Sequence, residues 1–417
     1  MKYSIVTFGC QMNVSDSERI ETFLNSLGHR KDDQKPDLFI VNMCSVRQSA
    51  VNRVFALEKK ISQFRKSNKN FTAILTGCFL KKDKEKLKKI FDYLLKTNEL
   101  FSFFEKKEAS FFKIFPEIRE KKFIGLIPIS QGCNFSCSYC VVPFTRGKLV
   151  CRKPDEILRE IEEMIKKGVK EIWLLGQNVN DYHYLQFDFE DLIKEINQLE
   201  GKFWLRINSP HPMNFSDKII DILARSQKFT PYLNLPLQSG DDFILKKMKR
   251  NYTVSDYKKL IKKIKTAFKK YRQGLEKNIA ISTDIIVGFP EEKERNFENT
   301  KRVINEIKFD NIYLAKFSPR ANTLAEKMEN QISEKEKEKR YQELMKLASK
   351  ISFQKNLKFF NKKISVLIIE EKKGFLFGKS RHFKTVKLKG DPSLVGNFVK
   401  ARIVAVKDFG LTAELIK

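Results

Sequence analysis

Apolar runs in the first hundred residues are short and regularly separated. Residues 3–8, 38–41 and 72–75 are apolar or β-branched stretches, and helix-like spacing covers 16–27 and 50–64 between them. Strands alternating with helices predict a parallel-sheet α/β domain over residues 1–118. A Phe-rich, charged stretch at 101–122 reads as a helix and connector. Strand candidates then follow at 123–129, 171–175, 203–207, 232–235, 279–287 and 311–317. Helical patterns such as 154–167, 188–199 and 254–269 alternate with them. Six β/α repeats in roughly 200 residues predict a partial (β/α)6 barrel rather than an eightfold one. With the charged helix expected over 333–360, this gives a second domain at 119–356. The last segment, 357–417, is all-β in character, with strand candidates at 364–370, 385–388, 398–406 and 410–416. About five short strands there predict a small OB-like β-barrel, suited to binding RNA or to serving as a passive cap.

Composition narrows the class. The 417 residues hold 81 Lys and Arg against 51 Asp and Glu, a formal net charge of +30. That excess points to a polyanionic partner such as nucleic acid. The alternative is a general drift toward Lys, which is spread over the whole chain beside 36 Phe. A content of 41% hydrophobic and 12% aromatic residues argues against a disordered chain. No stretch approaches the roughly 18 apolar residues of a membrane-spanning helix. Residues 1–8 read as a strand with no cleavage pattern, so no signal peptide is expected and a cytoplasmic location with reduced thiols follows. Seven cysteines, an odd number, then read as ligands or catalysts rather than disulfides.

Three of them occupy equivalent places. Cys10, Cys44 and Cys78 each end a strand candidate of the first domain. In a parallel sheet all three thiols emerge at the carboxyl edge, where open α/β sheets bind ligands. Single free cysteines are common in cores, but that does not account for three at matching strand ends. Three thiolates without a nearby His suit a cubane iron–sulfur cluster with one open iron better than zinc, which takes four protein ligands in structural sites. The second group, Gly132-Cys133-Asn134-Phe135-Ser136-Cys137-Ser138-Tyr139-Cys140, has Cys-x3-Cys-x2-Cys spacing directly after a strand. Three close thiolates on one loop can hold three irons and leave the fourth open. Zinc with Cys151 as fourth ligand is the alternative; otherwise Cys151 falls outside both groups.

With both groups placed, the chain resembles the radical S-adenosylmethionine (SAM) methylthiotransferase family over essentially its whole length. The resemblance rests on Gly9-Cys10-Gln11-Met12-Asn13 with Asp16-Ser17-Glu18-Arg19, and on Asn42-Met43-Cys44-Ser45-Val46-Arg47. It also rests on Tyr139-Cys140-Val141-Val142-Pro143-Phe144-Thr145-Arg146-Gly147-Lys148 and Leu174-Leu175-Gly176-Gln177-Asn178-Val179-Asn180. These strings are most similar to the members that act on isopentenyladenosine in tRNA. Siblings modify threonylcarbamoyladenosine or an aspartate of a ribosomal protein.

The resemblance implies a methylthiotransferase N-terminal domain, a radical-SAM barrel and a C-terminal TRAM domain. It implies one [4Fe-4S] cluster on Cys10, Cys44 and Cys78 that carries the inserted sulfur, and a second on Cys133, Cys137 and Cys140 that coordinates SAM. SAM would be both methyl donor and radical source, and the product a methylthio group on C2 of the adenine just 3′ of the anticodon. A tRNA anticodon loop, an electron donor of reduced flavodoxin or ferredoxin type and a sulfur donor are the implied partners of a monomer. Gln177, Asn178, Gln238 and Asp284 are expected near SAM, ordinary cap or turn roles being the alternative. Arg146 and Lys148 are candidates for substrate contact, or for structural salt bridges. Arg381, His382 and Lys384 form a basic stretch expected to grip tRNA. Asn234 stands where the family commonly has His, and Glu291 where Gly is frequent; the string Phe317-Ser318-Pro319-Arg320-Ala321-Asn322-Thr323-Leu324 lacks usual prolines. From another class, a non-catalytic zinc- and RNA-binding protein would also account for cysteines, charge and barrel.

Overall fold

The computed structural model describes residues 1–46, 48–105, 111–117 and 121–416. Arg47, the expected boundary at residue 118 and part of the 101–122 stretch therefore lie outside the described residues. The N-terminal apolar runs become the strands Lys2–Phe8, Leu38–Cys44 and Thr72–Cys78, paired in parallel and flanked by the two-residue strands Arg30–Lys31 and Tyr93–Leu94. Leu38–Cys44 is buried along its whole length, as a parallel strand covered on both faces must be.

The six barrel strands form two parallel three-stranded sheets. Ile124–Pro128, Glu171–Leu175 and Trp204–Ile207 make one; Tyr232–Asn234, Ala280–Val287 and Asn311–Lys316 make the other. A parallel bridge from Leu205 to Phe229 joins the halves. Alternation along the strands separates two faces. Ile127, Ile172, Leu174 and Leu205 pack in the main core with the helices, whereas Leu126, Trp173, Leu175 and Tyr232 share a second cluster with Met12.

Met12 belongs to the helix Gln11–Ser26, which packs beside the edge strand Ile124–Pro128 and joins the first domain to the barrel. Ser15 Oγ donates to the Leu126 carbonyl at 3.1 Å. The helix is not a simple amphipathic one: Asp16, Glu18, Arg19 and Glu21 are buried along with Ile20 and Leu24. Buried charge requires a partner. Arg19 and Arg152 share the carboxylate of Glu160, each at 2.6 Å, with all three side chains essentially inaccessible.

The C-terminal strands Lys363–Lys372, Phe375–Ser380, Thr385–Leu388, Phe398–Lys407 and Gly410–Leu415 close a small barrel, with the helix Glu334–Asn356 leading into it. The turn between its second and third strands reaches back to the larger barrel. Phe383 packs against Trp173 and Tyr232, with ring centroids 5.3 and 4.6 Å away. Arg206 lies 4.9 Å from the Phe383 ring, donates to the Ser380 and Arg381 carbonyls, and pairs with Glu171 at 2.8 Å. One buried guanidinium thus fastens the two barrels together. Breaking a buried, hydrogen-bonded pair from one side costs about 3–5 kcal/mol. Arg206→Met is expected to lower the urea midpoint of the first unfolding transition by a corresponding amount; an unchanged midpoint would contradict this role.

Candidate functional site

Cys10 follows the strand Lys2–Phe8 and occupies the N-cap of Gln11–Ser26. Its amide and its thiol both donate to Asn13 Oδ1, at 3.3 Å. Asn13 is held in turn by Asn42 Oδ1 and the Met43 carbonyl. Cys44 and Cys78 end neighbouring strands and face each other in register. Gly77 permits this: its φ is +93°, and a Cβ there would collide with the Asn42 side chain and the Met43 carbonyl. The three thiols are close enough to influence one another's ionisation through Cys44. A hydrogen bond from Cys44 lowers Cys10 to about 6 and Cys78 to about 7, while Cys44 itself is pushed up. Cys10 and Cys78 are thereby poised to lose their protons to a metal. Ser45 Oγ and Thr76 Oγ1 are buried nearby in sequence with no partner among the described residues.

The second cysteine loop leaves the barrel after Ile124–Pro128. Gly132, with φ +80°, sits against the Lys148 carbonyl, where a Cβ would not fit. The Cys133 amide donates to the Gly147 carbonyl, and the Cys140 amide to that of Cys137. Ser138 ties the loop to the Lys247 and Met248 carbonyls. Tyr139 packs edge-on against Phe289. Burial raises the Cys133 thiol and pushes Cys140 up to about 12. Arg250, 8% exposed, points a guanidinium nitrogen at Cys137 Sγ, 3.5 Å away, and donates to the Pro236 carbonyl.

Gln177 Oε1 accepts from the Gly132 amide at 2.5 Å, so it abuts the base of this loop. Asn178 is 2% exposed, yet neither its Oδ1 nor its Nδ2 has a hydrogen-bond partner among the described residues. An amide left wholly unsatisfied in a protein interior is costly, and a polar ligand there would relieve it. Gln238 has φ +72° and bridges to Ile285 beside Asp284; its amide donates to the Asp284 carbonyl. Asn234, the departure from the family pattern, donates to Asp284 Oδ2 at 2.7 Å. Glu291, the other departure, pairs with Lys247 and also has positive φ, +65°.

The basic candidates are disposed differently. Lys148 is exposed. The Arg146 side chain is turned inward: Nε donates to Cys78 Sγ at 3.0 Å and a terminal nitrogen to Asp16 Oδ2 at 2.7 Å. Arg381 pairs with Glu276 and donates to the Gln227 and Phe229 carbonyls. Lys384 is 8% exposed and pairs with Asp310; His382 is buried against the Leu275 carbonyl. These three residues seal the contact between the two barrels, because the turn that carries them is inserted there. Cys151 pairs with Ser130 in a short hairpin, and its sulfur accepts from the His183 amide.

Sequence reasoning passed over Arg250 and His211, and gave Asp16 no role of its own. His211 stacks on Phe135 of the cysteine loop, centroids 4.3 Å apart, and its buried Nε2 has no partner among the described residues. Burial, reinforced by the charge of Arg250, lowers it to about 3, so the ring is neutral. The run of polar residues Asp16-Ser17-Glu18-Arg19 on one helix is the sequence signal that marks Asp16.

The Radical SAM superfamily matches residues 127–304, and Uncharacterized protein family UPF0004 matches residues 2–95. The tRNA-2-methylthio-N(6)-dimethylallyladenosine synthase of Dictyoglomus thermophilum is 37% identical over 442 residues, covering 100% of this chain and 99% of that protein. The enzyme of the same name from Alkaliphilus oremlandii is 35% identical over 446 residues, covering 100% of this chain and 93% of that one. Among solved structures, the radical S-adenosylmethionine methyltransferase TsrM from Kitasatospora setae superposes with a TM-score of 0.57 at 14% identity. It covers 78% of this chain and 77% of its own, a likeness of fold. Full-length identity of this order, together with the radical SAM match, makes the chain a member of the tRNA-2-methylthio-N(6)-dimethylallyladenosine synthase family.

Proposed function

We propose that the protein methylthiolates C2 of N6-isopentenyladenosine beside the anticodon of tRNA. The observation that carries this reading is the meeting of two thiol triplets. One lies at the carboxyl edge of the N-terminal sheet and the other on the first loop of the barrel, and Arg146, just after that loop's cysteines, donates to Cys78 of the first triplet. The units are taken as 1–118 for the auxiliary site, 119–356 for the radical-SAM core and 357–417 for the TRAM domain.

Cys133, Cys137 and Cys140 would hold a SAM-coordinating [4Fe-4S] cluster, and Cys10, Cys44 and Cys78 an auxiliary one. The donor sets fit: each is three thiols with no fourth ligand of His, Cys, Asp or Glu beside them among the described residues, which leaves one iron open. When bound, SAM and the two clusters supply radical chemistry and the sulfur for a C–H bond that acid–base catalysis would leave untouched. Asn178, buried and unsatisfied, offers a donor and an acceptor to SAM. Gln177 braces the loop through Gly132; in the other half-barrel Gln238 follows the strand Tyr232–Asn234 and lies beside Asp284, inside the strand Ala280–Val287.

The net charge of +30 supports a polyanionic substrate. Because Arg146, Arg381 and Lys384 are engaged internally, phosphate contact falls to exposed cations: Lys148 beside the cysteine loop, and Lys389, Lys400 and Arg402 on the small barrel. An electron donor, a flavodoxin or ferredoxin in reduced form, and a sulfur donor complete the reaction, carried out by a monomer in the cytoplasm. Among the described residues no helix is long and apolar enough to cross a membrane.

Protein purified without oxygen is expected to hold about eight irons per chain, falling to about four in the Cys133/Cys137/Cys140 triple Ala variant. Zinc in their place, measured by metal analysis, would favour the non-catalytic RNA-binding alternative. Nucleoside mass analysis of tRNA from a deletion strain should show loss of the methylthio-isopentenyl nucleoside; loss of the methylthio-threonylcarbamoyl one would assign the sibling activity instead. Lys400→Glu with Arg402→Glu should weaken tRNA binding and flatten its log–log salt dependence by about one unit per lost phosphate contact. Unchanged affinity would remove this face from the interface.

A further inference from the structure

Arg146 joins the two cysteine groups physically. The loop that carries Cys133, Cys137 and Cys140 continues into the short helix Val142–Thr145, and the Arg146 amide closes that helix on the Val142 carbonyl at 2.8 Å. Val141 beside it is buried with Leu80, two residues beyond Cys78, and with Ala321 of the barrel. The loop is thereby fixed against the first domain before the Arg146 side chain is considered. That side chain, 7% exposed, donates from Nε to Cys78 Sγ and from a terminal nitrogen to Asp16, whose carboxylate is fully buried. Cys137 of the other triplet has a different cationic neighbour, Arg250.

A hydrogen bond and a positive charge at a ligand sulfur both stabilise the more negative, reduced state of an iron–sulfur centre, and the net local charge sets how strongly. Low dielectric magnifies both effects. Asp16 adds an opposing charge on the far side of the same guanidinium. We propose that Arg146 is a positioning residue supplied by the radical-SAM core, which sets the redox poise of the auxiliary cluster through Cys78, with Asp16 as its counterweight. This rests on the assignment of Cys10, Cys44 and Cys78 as cluster ligands. The two residues then act with opposite sign. Losing Arg146 removes both the hydrogen bond and the positive charge at Cys78 and favours the oxidised cluster; losing the Asp16 charge leaves Arg146 uncompensated and favours the reduced one.

The test uses the full-length Cys133/Cys137/Cys140 triple Ala protein, reconstituted without oxygen so that only the auxiliary cluster is present. Iron content is measured first, then a potentiometric titration followed by electron paramagnetic resonance. Arg146→Met should raise the oxidised-to-reduced ratio at the parent midpoint about tenfold, a negative shift of about 59 mV for one electron. Asp16→Asn should shift the midpoint positively. If Arg146→Met loses its iron, Arg146→Lys, which keeps the charge without the Nε donor, replaces it and should show a smaller negative shift. Shifts of the same sign in the Arg146 and Asp16 variants, or unchanged midpoints with iron retained, overturn the proposal. No iron in the triple Ala parent overturns the ligand assignment, and this proposal with it.

Discussion

The carboxylate of Glu160, shared by Arg19 and Arg152 out of contact with water, is the interaction on which the arrangement of this molecule depends. Glu160 and Arg152 belong to the barrel, whereas Arg19 belongs to the helix that begins at Cys10. A buried ion pair contributes little net stability compared with apolar packing of the same shape. Its geometry is demanding, however, and any shift of the helix along its axis would strand a charge. Specificity of placement is what the group supplies. Once Gln11–Ser26 is held at that register, Ser15 meets the Leu126 carbonyl, Asp16 meets Arg146, and Cys10 stands beside Cys44.

Much of this was readable from residue patterns. The three matching cysteines at strand ends, the six-strand barrel and the small C-terminal barrel all follow from apolar runs of the right length and spacing. The shape of the fold is local information of that kind. What stayed hidden was pairing over distance. The basic stretch Arg381-His382-Phe383-Lys384 reads as a surface for phosphate because nothing nearby in sequence neutralises it. Its partners, Glu276 and Asp310, arrive from elements roughly a hundred and roughly seventy residues earlier that the pattern cannot associate with it. Arg146 is hidden for the same reason, since Asp16 lies in another domain. Nor does the division of the expected 50–64 helix into Gln48–Phe55 and Glu58–Ser67 have a local marker: Ala56 and Leu57 are neither Gly nor Pro.

The charge balance takes on a different meaning in this light. Cations that looked available for RNA are divided into two populations. Arg19, Arg146, Arg152, Arg206, Arg250 and Lys384 are interior or nearly so, each committed to a carboxylate, a carbonyl or a thiol. Arginine predominates among them, as its planar, multiply donating head suits fixed geometry, whereas the exposed population is mostly lysine. Net charge alone therefore overstates the local density of contacts open to a nucleic acid and says nothing of where they cluster.

The inserted turn of the small barrel also bears on how the chain is made. Trp173, Glu171 and Arg206 belong to the first half of the large barrel, yet Ser380, Arg381 and Phe383 that cover them leave the ribosome nearly two hundred residues later. During that interval the guanidinium of Arg206 has its acidic partner but not its carbonyl acceptors, and Trp173 lacks the ring that packs on it. Elongation at about 5–20 residues per second makes this a delay of roughly ten seconds or more. The core is thus a late-maturing fold whose last stitch is sewn by a turn of the small barrel, so a message cut short before that turn yields a large barrel with Trp173 and Arg206 uncovered.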